Sequence, residues 1–84
     1  MRVTVISPER AIYDGEATEV TAPAYDGLVG IKPGHAPFMT LLGEGALTVR
    51  ADGTEHTFEV RQGFLQVDSD VVRVVAEHAS EKEE

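Results

Sequence analysis

The chain has 84 residues, which is enough for one small domain with a single core. Hydrophobic residues make up 42% and charged residues 26%, an ordinary globular composition that argues against wholesale disorder. Because the chain contains no cysteine, it can form no disulfide, no thiolate metal site and no cysteine nucleophile.

The charge balance argues against nucleic acid as a partner. The 7 Lys and Arg residues stand against 15 Asp and Glu residues, for a formal net charge of −8. Binding to a phosphate backbone or to anionic lipid requires clustered cations, and here they are spread singly. No apolar run approaches the ~20 residues that a membrane helix needs, and no signal-peptide pattern opens the chain. We therefore expect neither nucleic acid binding nor direct membrane insertion.

Strand patterns begin at the first residues. Residues 2–6 alternate, with Val3 and Val5 on one face, as expected for a half-buried strand. The same alternation predicts a second strand over residues 16–22. Turn signals separate the early strands: residues 13–15, 26–27 and 32–34.

Two hairpins are predicted in the second half of the chain. The first covers residues 47–60, whose arms alternate on either side of Asp52-Gly53, a dipeptide typical of a type I′ turn. The second joins strands at residues 63–68 and 71–77 through short polar residues that favour a turn. Its second strand is apolar on both faces except at Arg73, so we expect that strand to lie in the centre of a sheet.

Many short strands with glycine and proline at the joints predict an all-β sandwich or barrel. We place this domain at residues 1–77. Residues 78–84 are polar, favour a helix and have no apolar face of their own. They are expected to form a polar tail or the start of a C-terminal helix.

The sequence offers little for catalysis. The three histidines His35, His56 and His78 lie far apart, without the close-spaced pair that is usual in zinc sites. No serine lies in a G-x-S-x-G elbow, and there is no phosphate-binding glycine loop. A serine-type site built from Ser7 and His35 would need an orienting carboxylate and an oxyanion hole that no sequence pattern places. We expect no catalytic site, metal or cofactor.

Residues 27–39 are the most unusual segment, because two prolines and three glycines bracket apolar residues that cannot all lie in regular strands. Two interpretations are open. In one, the segment is a structural crossover between sheets, with Ile31, Phe38 and Leu41 capping the core. In the other, it is a rigid loop that presents His35 and its neighbours to a protein partner.

One motif within this segment is distinctive: Gly27-Leu28-Val29-Gly30-Ile31-Lys32-Pro33-Gly34-His35-Ala36-Pro37. Other motifs accompany it in order: Ser7-Pro8-Glu9-Arg10, Tyr13-Asp14-Gly15, Glu19-Val20-Thr21-Ala22-Pro23, the spaced set Leu42, Gly45, Leu47 and Val49, then Gly63-Phe64-Leu65 with Val67, and Val72, Val74 and Ala76. Together they resemble the epsilon subunit of the rotary F-type ATP synthase (delta in mitochondria), specifically its N-terminal β-sandwich domain.

The resemblance implies a two-sheet antiparallel sandwich of about ten strands at the foot of the central stalk. There a non-catalytic subunit joins the gamma subunit to the membrane c-ring, so that proton-driven rotation reaches the catalytic head. It also implies a peripheral location on the cytoplasmic face of the bacterial plasma membrane. By position, the expected gamma contacts are Ser7, His35, Ala36, Pro37 and Phe38. The expected c-ring contacts are Asp26, Gly27 and Leu28.

The chain departs from the family in two ways. Leu28 stands where many members carry an acidic residue, and the usual C-terminal pair of helices does not follow the sandwich. We therefore expect no inhibitory or nucleotide-binding activity from this chain alone. The alternative is a free-standing β-sandwich module with its own protein partner. Co-purification of gamma and the catalytic subunits would distinguish the two.

Overall fold

The computed structural model describes residues 1–82, which form eight β-strands and no helix. The strands in chain order are β1 (Arg2–Ile6), β2 (Ala11–Glu16), β3 (Glu19–Ala24), β4 (Gly27–Ile31), β5 (Phe38–Leu41), β6 (Gly45–Ala51), β7 (Thr54–Asp68) and β8 (Val71–Lys82). They pair in the order β2-β1-β8-β7-β6-β3-β4, and β5 pairs with β7. Only the β1–β8 pair among these is parallel. No helix long and apolar enough to span a membrane occurs within the described residues.

The paired strands fold into two layers around one apolar core. Val5 of β1 and Ile31 of β4 come from strands five places apart in the pairing order, yet both are completely buried in the same cluster. Phe58, the largest fully buried side chain, packs edge-on to the half-buried Tyr13 of β2. The other fully buried large side chains are Val3, Val20, Leu47, Val49, Leu65, Val67, Val72 and Val74. The predicted all-β sandwich is therefore confirmed.

Strands β7 and β8 each pass from one layer into the other. Before Gln62 the even-numbered residues of β7 point inward, as Phe58 does, whereas after it the odd-numbered residues do, as Leu65 does. Gln62 itself has φ +59°, in the left-handed region, and is left out of the β7–β8 register. This conformation breaks the period of two and reverses the alternation. The fold has eight strands rather than about ten because β7 and β8 are each continuous through both layers.

Gly63 lies where β7 and β8, still paired, pass together from one layer into the other. We call this point the crossing. A Cβ atom at this position would lie 1.9 Å from the carbonyl oxygen of Val75 and 2.7 Å from the Cα of Ala76. Both atoms belong to the backbone, so no side-chain rearrangement can make room. Only glycine lets the strands approach this closely.

The main strand predictions are confirmed. The strand at Arg2–Ile6 is present, and the first hairpin pairs β6 with β7 around Asp52-Gly53. Its turn is not of type I′, because only Gly53 of the two central residues has a positive φ. The second hairpin has φ +51° at Ser69 and +63° at Asp70, which is the type I′ pattern. Strand β8 lies between β1 and β7, as its two apolar faces predicted.

Two local predictions are wrong. Residues 13–15 lie inside β2 rather than in a turn, and the strand predicted at residues 16–22 begins only at Glu19. Pairing with β1 outweighs the turn propensity, since Thr4 lies opposite Asp14 in this ladder. The ion pair between Arg2 and Asp14, at 2.7 Å, further stabilises the pairing of β1 with β2.

The tail prediction is also wrong for residues 78–82, which continue β8. Thr57 of β7 lies opposite Lys82, so the ladder to β7 extends to the last described residue. Local composition gave no sign of this because the backbone partners come from residues 57–61. Glu83 and Glu84 lie outside the described residues.

Candidate functional site

A continuous row of apolar side chains crosses one outer face of the sandwich. Leu41 of β5 lies opposite Phe64 of β7, Phe64 opposite Val75 of β8, and Val75 opposite Ile6 of β1. All four point away from the core, since their chain neighbours Leu42, Leu65, Val74 and Val5 are buried. Directly opposite residues on adjacent strands lie about 5 Å apart, so the four side chains form an unbroken line.

Tyr25 extends this line at the turn that connects β3 to β4. Its amide donates a 3.1 Å hydrogen bond to the carbonyl of Leu41, next to the bridge between Ala24 and Leu42. Tyr25 is 70% exposed and Leu41 63% exposed. We call Tyr25, Leu41, Phe64, Val75 and Ile6 the apolar row. Ile6, Phe64 and Val75 are half-buried. Contiguous apolar side chains that the fold leaves wholly or partly exposed mark interaction surfaces.

The same face becomes polar away from the apolar row. In the next line across the strands, Met39, which is 62% exposed, is followed by Gln66, Arg73 and Thr4. The third line carries Asp68, Val71 and Arg2 at the end that holds the second hairpin turn. We call these three lines together the outer face. It combines an apolar edge, a mixed centre and a charged edge.

The opposite surface of the sandwich has a different character. Arg50 of β6 donates hydrogen bonds to Glu55 at 2.8 Å and to Glu19 at 3.0 Å. These bonds, first to Glu55 and then to Glu19, raise the pKa of the Arg50 guanidinium. Thr21, Thr48 and Thr57 occupy the next positions across the strands. This surface is therefore polar where the outer face is apolar.

The loop that carries the predicted gamma contacts His35 to Phe38 is held by hydrogen bonds. Gly34 donates its amide proton to Oδ1 of Asp70 at 3.0 Å, and the His35 amide donates to the carbonyl of Lys32 at 3.1 Å. The His35 ring lies edge-on to Phe38, with 5.8 Å between ring centroids. Ala36 and Pro37 between them are exposed. The loop is thus a fixed structure that leads directly into β5.

Ser7, the remaining predicted gamma contact, lies far from that loop. Its side chain is only 6% exposed, and its hydroxyl donates to the carbonyl of Arg10 at 3.2 Å. Ser7 follows the end of β1, whereas Asp70 beside the loop accepts a hydrogen bond from Arg2 at the beginning of β1. The length of β1, about 16 Å, therefore lies between Ser7 and the end of the outer face where Asp70 holds the loop. Ser7 and His35 border opposite ends of the outer face, and no serine–histidine pair is formed.

The predicted ring contacts Asp26, Gly27 and Leu28 form the tip of the β3–β4 hairpin. Leu28 is 76% exposed and lies opposite Pro23. Asp26 is exposed and carries the only charge of the tip. Because Tyr25 belongs both to this tip and to the apolar row, the two surfaces are continuous.

A cleft of about 570 Å³ lies beside the β7–β8 crossing. Its charged and titratable lining residues are Glu9, Glu44, Glu59, Glu77, Arg61 and His78. Residues 1–82 contain no group of three or more His, Asp or Glu side chains placed to hold a metal ion. The arrangement most suited to a function is therefore the outer face, as a surface for another protein.

Sequence motifs singled out the loop and the hairpin tip as expected contacts but did not reveal the apolar row. Its five members come from five separate segments, and only strand register brings them together. One signal was available: β8 is apolar on both faces, so Val75 had to face something other than the core.

Comparisons with known proteins agree with this fold. Residues 1–82 match the family model for the β-sandwich domain of the ATP synthase delta/epsilon chain. The ATP synthase epsilon chain of Solibacter usitatus is 43% identical over 84 residues, and the present chain spans 63% of its length. That of Caulobacter vibrioides is 38% identical over 81 residues, which cover 96% of this chain and 94% of the relative.

Solved structures show the same fold at lower identity. A chain of the Euglena gracilis mitochondrial ATP synthase, in a cryo-EM structure of OSCP, F1 and c-ring, superposes with a TM-score of 0.87 at 23% identity. The match covers 94% of this chain and 51% of that one. A chain from the Tetrahymena thermophila central stalk and c-ring gives 0.79 at 17% identity, over 95% of this chain and 65% of that one. By its family match and its relatives, the chain belongs to the ATP synthase delta/epsilon chains, and residues 1–82 form their β-sandwich domain.

Proposed function

We propose that this chain is a non-catalytic subunit of the central stalk of a proton-translocating ATP synthase. It joins the gamma subunit to the membrane c-ring, so that proton flow drives ATP synthesis. In a bacterium it lies at the cytoplasmic face of the plasma membrane, held there through the complex. Family membership supports this role, as does the origin of both similar folds in assemblies that contain a c-ring.

The observation that carries the proposal is the apolar row, in which Tyr25 and Leu41 are exposed and the other three side chains are half-buried. Five side chains at strand spacing extend over about 20 Å, and a standard interface buries about 800 Å² on each partner. The fold leaves Tyr25, Leu41 and Met39 largely exposed, so their burial requires a second protein. Gamma packed on the outer face would meet the loop from His35 to Phe38 at one end and Ser7 at the other.

The hairpin tip supplies the second contact in this proposal. Asp26, Gly27 and Leu28 are exposed, and Tyr25 connects them to the apolar row. A ring loop at this tip would meet one carboxylate and one exposed aliphatic side chain. The hydrogen bond from Tyr25 to Leu41 connects the tip to β5, so a force on the tip is transmitted to the apolar row.

The experiment is reconstitution with the gamma subunit of the same synthase. The chain should bind isolated gamma and restore ATP-driven proton pumping to synthase stripped of its own epsilon-type subunit. Leu41→Asp should abolish binding without unfolding the protein, because Leu41 is exposed. Thr54→Asp, at the first hairpin turn, is the matched control and should bind normally. A correctly folded wild-type chain that ignores gamma would favour a free-standing binding module instead.

A further inference from the structure

Arg73 lies at the centre of the outer face. It is on β8, between β1 and β7, directly opposite Thr4 on one side and Gln66 on the other. The neighbouring outward positions of its own strand are Val71 and Val75. The four nearest outward positions around this exposed guanidinium are thus uncharged, and the charged Asp68 and Arg2 lie diagonal to it on the neighbouring strands.

Within residues 1–82, Arg73 takes part in no ion pair and no side-chain hydrogen bond. Arg2 on the same face is paired with Asp14 at 2.7 Å. The carboxylate nearest to Arg73 by register is Asp68, which is diagonal to it across the β7–β8 ladder. A cleft of about 270 Å³ lies between these two side chains, with Gln66 and Val71 as its other walls.

The position of Arg73 determines which chemical group a partner protein must place opposite it. A protein that covers the outer face removes water from Arg73, and a cation buried without an acceptor is strongly unfavourable. Asp68 lies at the turn, on the rim, where a charge stays hydrated and contributes little. The central guanidinium therefore decides which partner surface fits.

We propose that Arg73 binds a carboxylate of the gamma subunit, which enters the cleft beside Gln66. The planar guanidinium can hold it with two parallel hydrogen bonds, a geometry that fixes orientation as well as charge. This inference rests on the proposed function, since gamma is the occupant. Elsewhere the net charge of −8 repels an acidic side chain. The apolar row then supplies affinity, and Arg73 fixes the register of docking.

The test is calorimetric titration of isolated gamma with the whole 84-residue chain and its variants at physiological salt. Arg73→Gln should weaken binding about 30-fold or more, because the buried carboxylate loses its charged partner. Arg73→Lys should fall between wild type and Arg73→Gln, since it keeps the charge and loses the two-pronged geometry. Asp68→Asn should bind as well as wild type or more tightly. Thermal unfolding establishes that each variant is folded.

The partner residue can then be located. Each Asp and Glu of gamma is changed in turn to Lys, and the residue that meets Arg73 is the one whose variant regains binding with Arg73→Glu. If wild type binds while Arg73→Gln binds within threefold of it, this inference is overturned and the proposed function stands. If Asp68→Asn weakens binding and Arg73→Gln strengthens it, the cleft takes a cation, which also overturns the inference. If folded wild type does not bind gamma, both proposals fail.

Discussion

The amide of Gly34 and the side chain of Asp70 are joined by a 3.0 Å hydrogen bond across 36 residues of sequence. Asp70 is itself in the left-handed region, at the turn between β7 and β8. This bond fastens the crossover loop to the second hairpin. It thereby fixes the direction in which the chain enters β5 and the outer face.

Replacing Asp70 should release that loop. Asp70→Ala removes the acceptor and places a residue with poor left-handed tolerance in the turn, so we expect a loss of about 1–2 kcal/mol of stability. Asp70→Asn keeps an acceptor oxygen and tolerates the conformation, and it should lose less. Urea unfolding measures the stability, and hydrogen exchange at Gly34 reports the loop. Unchanged exchange at Gly34 in Asp70→Ala would show that the bond does not hold it.

Adding a methyl group at the strand crossing should be costly. Gly63→Ala would place its Cβ 1.9 Å from the Val75 carbonyl oxygen, so the backbones must separate, and we expect a loss of about 3 kcal/mol or more. Gly30→Ala is the control, because no atom lies within 4 Å of a Cβ there. Urea unfolding of both variants should separate them clearly. Equal stability would contradict the close approach of β7 and β8.

The second hairpin turn should accept a more favourable residue. Ser69 adopts φ +51°, a region in which serine is disfavoured and asparagine is tolerated. Ser69→Asn should therefore stabilise the protein by about 0.5–1 kcal/mol, seen as a higher midpoint of thermal unfolding. Thr54→Asn, at a position without a positive φ, should give no gain. A gain at both positions would point to a cause other than turn conformation.

The hairpin tip gives a prediction about the ring contact. If Leu28 is buried against the c-ring, Leu28→Ser loses roughly 1.5–2 kcal/mol of apolar contact, and Leu28→Glu should bind no better. The measurement is binding of each variant to a detergent-solubilised complex of gamma and c-ring. Asp26→Asn is the companion variant that tests the charge. Tighter binding by Leu28→Glu would mean that the ring presents a cation to this position.

The ion pairs of Arg50 should respond to salt and not to pH near neutrality. Hydrogen bonds to Glu55 and then to Glu19 raise the pKa of this guanidinium in the folded state. Because the pKa of Arg50 is higher in the folded than in the unfolded protein, its ion pairs stabilise the fold at every pH below the unfolded-state pKa. This stabilisation is lost only in strongly alkaline solution. Arg50→Gln should therefore cause a small loss between pH 6 and 9 that is independent of pH. The loss should disappear at high salt, as for other exposed pairs.

The strands that bury one face could be predicted because alternation is a local property. Arg2–Ile6 and both later hairpins follow directly from side chains that have to reach the core. The edge strand β2 and the C-terminal end of β8 could not be predicted in this way. Ala11–Glu16 contains turn-forming residues, and residues 78–82 are almost entirely polar, so partners from distant sequence decide their conformation.

The candidate site divides in the same way. The loop at His35 and the tip at Leu28 are contiguous motifs, so the sequence displays them. The apolar row and Arg73 depend on register between strands up to 69 residues apart, such as Ile6 opposite Val75. A period of two shows that a side chain faces outward, but it does not show which other side chains share its surface.

The reversal at Gln62 has a mechanical consequence. Here two adjacent backbones run unbroken from the layer that carries the apolar row into the layer opposite, so a twist applied at one side is conveyed along covalent bonds. If the chain joins gamma to the c-ring as proposed, that continuity limits how far its two contact surfaces can twist relative to each other.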